Sequence, residues 1–245
     1  MRQALLLALA GLLLGGCANH KPQDYAGTWI NQDAIDATVK SGKVLETLSA
    51  QGAVSEIQID NQGQQATYLH DSFEHVSGRL SPADDTLRFV DSSGKEQLKL
   101  KGDELHFTTY DGNQLVFVKP KAAEPAGTVQ PLGSTFRKAL YQAYLGGSWK
   151  ITEGQGVGAT VHFNDNSSVT GLPGPAYYAL CMGGDCRNMA GDNDSMWLER
   201  DQRGAPFIFK RDGDTLTIFK AVNTAQPDEI PQLVAGARQW VLERD

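Results

Sequence analysis

Short alternating segments, separated by polar turns about ten residues apart, constrain the fold of this chain more than any other feature. Apolar and polar residues alternate over 57–60, 86–90 and 97–100, and dipeptides such as Asp111-Gly112 mark the turns. Strands of this length and spacing are typical of an antiparallel sandwich or barrel. One apolar face per strand indicates a closed sheet with a packed interior and a solvent-exposed outer surface. The sequence therefore predicts an all-β protein.

A proline-rich segment divides this pattern into two halves. Residues 120–133 contain three prolines and show no apolar periodicity, which predicts a linker. The segments on either side have the usual size of small domains. We therefore predict two tandem small antiparallel β-barrels, an N-terminal domain over residues 17–119 and a C-terminal domain over residues 134–245.

The two halves share landmarks in the same order. Each opens on a Gly-x-Trp sequence, at Trp29 and at Trp149, and each closes on a short apolar strand, at 115–118 and at 240–242. A shared order suggests one fold used twice. The alternative is coincidence, because every β-meander contains similar turns.

A few short segments have helical features. Apolar residues recur at helical spacing over 33–50, with Gly42 interrupting the pattern. A second helix is expected to begin at Ser134, whose side chain would cap it, and to end at Gly146-Gly147. A third, short helix is predicted over 230–237, before the last strand.

The first residues have the pattern of a secretory signal peptide. Arg2 precedes an apolar run over 4–14, and small residues follow before Cys17. This run is too short to span a bilayer, which needs about 20 apolar residues. The sequence Leu-Gly-Gly-Cys at 14–17 resembles the lipobox of bacterial lipoproteins. The resemblance implies that residues 1–16 are removed and that Cys17 is acylated. Ala18 after the cysteine implies sorting to the outer membrane, facing the periplasm.

The charge of the chain limits the classes of partner that it can bind. Its 22 lysine and arginine residues face 29 aspartate and glutamate residues, a net charge of −7, with no basic cluster. Such a chain is a poor binder of nucleic acid, and it is not drawn to anionic lipid by charge. Contact with the membrane is therefore predicted to come from the N-terminal acyl chains, which bind stably when there is more than one.

Two cysteines remain once Cys17 is assigned to the lipid. Cys181 and Cys186 flank a glycine-rich turn and would lie in an oxidising compartment, which predicts a disulfide bond. A redox-active pair or a metal site are the alternatives. The spacing is not Cys-x-x-Cys, and no neighbouring histidine supplies a further zinc ligand.

The Gly-x-Trp openings, a helix near one barrel mouth and about eight strands per half resemble the lipocalin-like barrels of bacterial lipoproteins. The resemblance implies that Trp29 and Trp149 plug the closed end of each barrel. A barrel of this size holds side chains alone or one small ligand. The second half departs from the pattern, because its extra helix comes late and glycines follow Trp149. Further aromatic residues are predicted to lie inside the first barrel: Tyr68, Phe89, Phe107 and Phe117.

No segment carries a recognisable catalytic set, and no cofactor is predicted. His70 and His75, with carboxylates between them, are weak candidates for a metal site; the alternative is two exposed histidines flanking a turn. The sequence therefore favours a non-catalytic binding or accessory module of the envelope, whose partner is an envelope protein or a small apolar ligand. A sensor of envelope stress or lipoprotein sorting is the alternative. A hydrolase that uses the segment 70–75 is a third class.

Overall fold

The computed structural model describes residues 20–50, 54–69, 74–121 and 130–245. Within these ranges the chain consists mainly of β-strands in two eight-stranded sheets. The structure therefore confirms the prediction of an all-β protein with two tandem antiparallel barrels and a few short helices.

The first sheet is a closed antiparallel barrel. Each strand pairs with the next along the chain, and the Ile30–Val118 pair joins the last strand to the first. This is the simple meander that the spacing of the turns predicts. Its strands are β1 (Gly27–Ile30), β2 (Glu56–Ile59), β3 (Gln65–Leu69), β4 (His75–Ala83), β5 (Thr86–Phe89), β6 (Gln97–Lys101), β7 (Glu104–Thr108) and β8 (Gln114–Val118).

The second sheet consists of β9 (Ser148–Gly154), β10 (Thr160–Phe163), β11 (Val169–Thr170), β12 (Tyr177–Leu180), β13 (Ser195–Arg200), β14 (Arg203–Asp212), β15 (Thr215–Asn223) and β16 (Leu233–Arg244). The strand order runs β11-β10-β9-β16-β15-β14-β13-β12. Its two edges meet through backbone hydrogen bonds. Tyr178 N donates to Ser167 O, and Val169 N donates to Ala176 O, both over 2.8 Å. These bonds wrap the sheet into a barrel.

The described residues form a short 3-10 helix at Pro22–Tyr25 and four α-helices: α1 (Gln32–Ser41), α2 (Val44–Ala50), α3 (Ser134–Tyr144) and α4 (Asp185–Ala190). The helical segments predicted over 33–50 and from Ser134 are confirmed, and Gly42 separates α1 from α2. The helix predicted over 230–237 is wrong. Residues 233–237 belong to β16, because pairing with β15 outweighs their weak local helical pattern. Helix α4 was not predicted.

Large side chains fill the interior of each barrel. In the first barrel, Tyr68 and Phe107 lie 5.3 Å apart between ring centroids, and Phe89 and Phe107 lie 6.0 Å apart. Rings at these separations are in contact and leave little room between them. The largest fully buried side chains of the second half are Trp149, Phe163, Tyr178 and Phe209 on strands and Phe136, Tyr141 and Tyr144 on α3.

One end of each barrel is closed in the same way. The indole N–H of Trp29 donates to Tyr25 O over 2.8 Å, and that of Trp149 donates to Leu145 O over 2.7 Å. In both cases the acceptor lies four residues before the tryptophan. A cation from the end of the last strand lies over each ring, 4.9 Å away for Lys119 and 4.5 Å away for Arg244.

Each of these two cations also binds a backbone carbonyl just before the first strand of its own barrel. Lys119 Nζ donates to Ala26 O over 3.0 Å, and Arg244 Nη1 donates to Gly146 O over 2.6 Å. Each acceptor lies three residues before the tryptophan. The two halves therefore share the geometry of the closed end as well as the number of strands.

Candidate binding site at the junction of the two barrels

A continuous apolar core joins the two halves of the chain. Ile30, Ile35 and Val44 come from the first half, and they belong to the same buried cluster as Leu140 and Trp149 of the second half. Helix α1 contacts α3 across this junction. Helices α1 and α3 therefore bury apolar side chains against each other where the two halves meet.

A carboxylate of the first barrel caps the helix that precedes the second. Glu56 in β2 is fully buried, and its Oε2 accepts a hydrogen bond from the backbone N–H of Phe136 in α3 over 2.8 Å. Its Oε1 accepts from the side chain of Gln58 over 2.9 Å. The first N–H groups of a helix have no partner within the helix, and a negative charge there is stabilising. Glu56 therefore supplies the cap of α3.

This arrangement corrects the prediction for Ser134. The N-cap position of α3 is Gly133, and no N-cap side chain makes the capping bond. The hydroxyl of Ser134 is buried and has no hydrogen-bond partner among the described residues. The residue that acts as the cap lies 80 positions from Phe136, so no local pattern identifies it.

The second half likewise caps a helix of the first half with a carboxylate. Asp194 lies just before β13, and its two carboxylate oxygens accept from the backbone N–H groups of Val44 and Leu45, each over 2.9 Å. These groups begin helix α2. The hydroxyl of Tyr144 in α3 also donates to Gly42 O over 2.6 Å. We call the Glu56 and Asp194 contacts the reciprocal caps, because each half caps a helix of the other.

Burial affects the acidity of both capping groups. Removal from water raises the pKa of the Glu56 carboxyl, and the N–H of Phe136 partly offsets this rise. Removal from water likewise raises the pKa of Asp194, and the N–H groups of Leu45 and Val44 partly offset it. The reciprocal caps therefore place two carboxyl groups where ionisation is disfavoured.

A cleft of about 440 Å³ opens beside these contacts, and residues of both halves line it. We call it the apolar cleft. Ile30 from β1 and Ala139 and Ala143 from α3 supply apolar wall, and Thr135 and Lys121 add polar groups. This volume lies in the range of small-molecule sites.

A larger cleft of about 980 Å³ lies between α2 and the second barrel. We call it the polar cleft. Lys43 and Glu46 line it from the first half, and Arg187, Asp192 and Arg211 line it from the second. Charges of both signs line it, so it has no single electrostatic preference.

The structure places some of the predicted site residues. Cys181 and Cys186 are joined by a disulfide, with their Cα atoms 5.8 Å apart. Trp29, Trp149 and Phe107 are all buried within the barrels. Neither Trp149 nor Phe107 lines either of the two clefts.

Other predicted site residues lie outside these clefts or outside the described ranges. Cys17 and His70 are outside the described residues, and His75 is exposed at the start of β4. In the described part of the chain, no group of three or more histidine, cysteine, aspartate or glutamate side chains is arranged to hold a metal ion. None of the helices in that part has the length and hydrophobicity needed to cross a bilayer.

Sequence reasoning missed Glu56 and Asp194. Glu56 alternates with Ile57 along β2, and this pattern predicts that its side chain faces water. It points away from the barrel interior, but the outer surface at this place is covered by the second half. Asp194 lies in a polar loop, and the sequence of this loop predicts a solvent-exposed turn. Neither residue carries a local signal of its distant partner.

Comparison with known proteins adds no assignment. The sequence matches neither a protein-family model nor a curated protein.

Proposed function

We propose that this chain is a lipid-anchored protein of the bacterial envelope that faces the periplasm and acts by binding, without catalysis. The observation that carries the proposal is the position of the two clefts described above, the apolar cleft and the polar cleft. Both lie between the two halves, whereas aromatic side chains fill the barrel interiors. The proposed site is therefore the junction, and each barrel is a packed support for it.

The anchor rests on the sequence at 14–17 and on the acyl chains it implies for Cys17. From Pro22 the chain forms a 3-10 helix and then enters β1 at Gly27. Few residues separate the acylated cysteine from the closed end of the first barrel, which would hold that barrel close to the membrane surface.

Metabolic labelling with an alkyne analogue of palmitate tests the anchor. We expect the native chain to take up the label and to fractionate with the outer membrane, and Cys17→Ser to lose both properties. The double variant Cys181→Ser/Cys186→Ser is the matched control and should keep the label. Equal labelling of Cys17→Ser would exclude acylation at this residue.

Native mass spectrometry of the full-length protein, extracted from envelopes in mild detergent, tests the binding role. We expect a bound small molecule on the native chain that is absent from Ala139→Trp, which fills the apolar cleft. Ala237→Trp places the same side chain at an exposed position that lines neither cleft, and it should keep the molecule. Unliganded native protein from every extract would remove the small-molecule role.

A sensor of envelope stress is a second candidate, favoured by the position of the disulfide. Cys186 lies in α4, and Arg187 of the same helix lines the polar cleft. Breaking the disulfide would release the start of α4 beside the junction. We expect Cys181→Ser/Cys186→Ser to induce an envelope-stress reporter; an unchanged reporter with a normal protein level would reject this role.

A further inference from the structure

The walls of the apolar cleft suit a hydrocarbon chain. Ile30 on one side belongs to the core that joins the two halves, and Ala139 and Ala143 on the other are small side chains of one helix. Alanines one helical turn apart leave a smooth groove along α3. Removing hydrocarbon from water against such a surface is favourable.

One end of this groove carries a polar group that lacks a partner. Thr135 is 4% exposed, and its hydroxyl makes no hydrogen bond to any described residue. A buried hydroxyl without a partner is unfavourable. Threonine populates two rotamers in helices, so rotation about χ1 moves the hydroxyl to a second position. The second rotamer offers a way to present the hydroxyl to a polar atom in the cleft.

Charged side chains stand at the edge of the cleft. Among the described residues that line it, Lys121 and Lys138 are basic and Asp165 is acidic. We infer that the apolar cleft binds a single-chain amphiphile with an anionic head, of the fatty-acid class. Its chain would lie along Ala139 and Ala143, and its head would lie near Thr135 and Lys121. This inference rests on the proposed binding function and names its ligand.

Photo-cross-linking of the full-length protein in nanodiscs tests the inference. The probe is palmitate that carries a diazirine on its chain, and the cross-linked peptides are mapped by mass spectrometry. We expect label on the peptide that contains α3, displaced by unlabelled palmitate more effectively than by hexadecanol. Ala139→Trp should lower this label at least about tenfold, and Ala237→Trp should leave it unchanged.

Two variants test the head group. Lys121→Gln should weaken competition by palmitate about two- to fivefold, the range of an exposed ion pair, and leave competition by hexadecanol unchanged. Thr135→Val, which keeps the shape of the side chain, should weaken competition by both compounds. Circular dichroism of each variant verifies that the fold is retained.

The outcomes separate the ligand class from the binding role. Equal competition by hexadecanol and palmitate, with no effect of Lys121→Gln, would overturn the anionic head while leaving a binding junction. Absence of label on α3 from every probe would overturn the cleft as a ligand site. Label that appears only after residues 122–129 are replaced by glycine and serine would show that this segment occupies the cleft, and would also overturn the inference.

Discussion

At the scale of single residues, Gly147 shows why the closed end of the second barrel has its sequence. Its φ of +103° is one that other L-residues rarely adopt, and a Cβ there would lie 3.3 Å from Arg244 Nη1. Gly27 occupies the same place in the first barrel, with a φ of +113° and a more distant neighbour, Lys119 Nζ at 3.7 Å. The glycine of each Gly-x-Trp sequence is thus fixed by the backbone.

We expect Gly147→Ala to lower the free energy of unfolding by about 1–3 kcal/mol, because alanine is strained at this φ. Gly27→Ala should show a smaller loss, since the nearest atom lies farther away. Urea unfolding followed by tryptophan fluorescence measures both changes. A loss of less than about 0.5 kcal/mol at Gly147, the scale of an ordinary surface substitution, would contradict the assigned role.

Glu56 offers a second test at this scale. Glu56→Ala leaves the N–H of Phe136 buried without its acceptor, which should lower the free energy of unfolding by about 1–3 kcal/mol. Glu56→Gln keeps an oxygen at the same distance along the side chain and should lose less. Chemical denaturation of both variants at neutral pH makes the comparison. Equal losses would mean that the charge, and not the acceptor, supports α3.

The pH dependence of stability has a definite sign. Burial raises the pKa of Glu56 above its ordinary 4.5 and that of Asp194 above its ordinary 3.8, so the folded chain holds both protons more tightly. The resulting stabilisation is fully present below those ordinary values and is lost as pH rises through the folded pKa values. The variant Glu56→Gln has no group that titrates at this position. Relative to that of the native chain, the free energy of unfolding of this variant should therefore increase as pH rises from 4.5.

Urea unfolding of both proteins between pH 4.5 and pH 8, at constant ionic strength, measures this difference. The other carboxyl groups titrate in both proteins, so the difference isolates the contribution of Glu56. A difference that does not change with pH would show that the Glu56 carboxyl titrates at its ordinary pKa.

At the scale of elements, the sequence predicts what depends on local pattern. The strands of the first barrel follow from alternation and turn residues, and α3 follows from apolar residues that recur at helical spacing. The cap of α3 and the strand at 233–237 do not follow, because both depend on partners elsewhere in the chain. Glu56 caps a helix 80 positions away, and residues 233–237 form a strand because they pair with β15. The candidate site is built from such distant contacts, so the sequence did not locate it.

The disulfide gives a prediction for α4. The Cys181–Cys186 bridge spans five positions, and the loop-entropy model assigns small loops the lower end of the usual range. We expect Cys181→Ser/Cys186→Ser to lower the free energy of unfolding by about 2 kcal/mol and to increase hydrogen exchange in α4. Exchange in α1 should change less, because α1 packs against α2, α3 and β8, whereas α4 packs against β16. Unchanged exchange in α4 would show that its packing, and not the bridge, holds it.

At the scale of the whole molecule, the reciprocal caps and the shared core oppose independent motion of the barrels. The contacts run in both directions: the first half caps α3, and the second half caps α2. We expect a junction held from both sides to keep its clefts in one shape. A site that is already ordered loses less affinity when a ligand binds.

This coupling predicts how the molecule unfolds. The native protein should unfold in one transition, because loss of either barrel exposes the core and the caps of the other. The double variant Glu56→Ala/Asp194→Ala removes both caps and should separate the unfolding of the two barrels. Hydrogen exchange with mass spectrometry at increasing urea follows peptides of β7 and β15, one from each barrel. Coincident midpoints in the native chain and distinct midpoints in the double variant are expected. Distinct midpoints in the native chain would mean that the barrels fold independently, and the junction would then not be a rigid site.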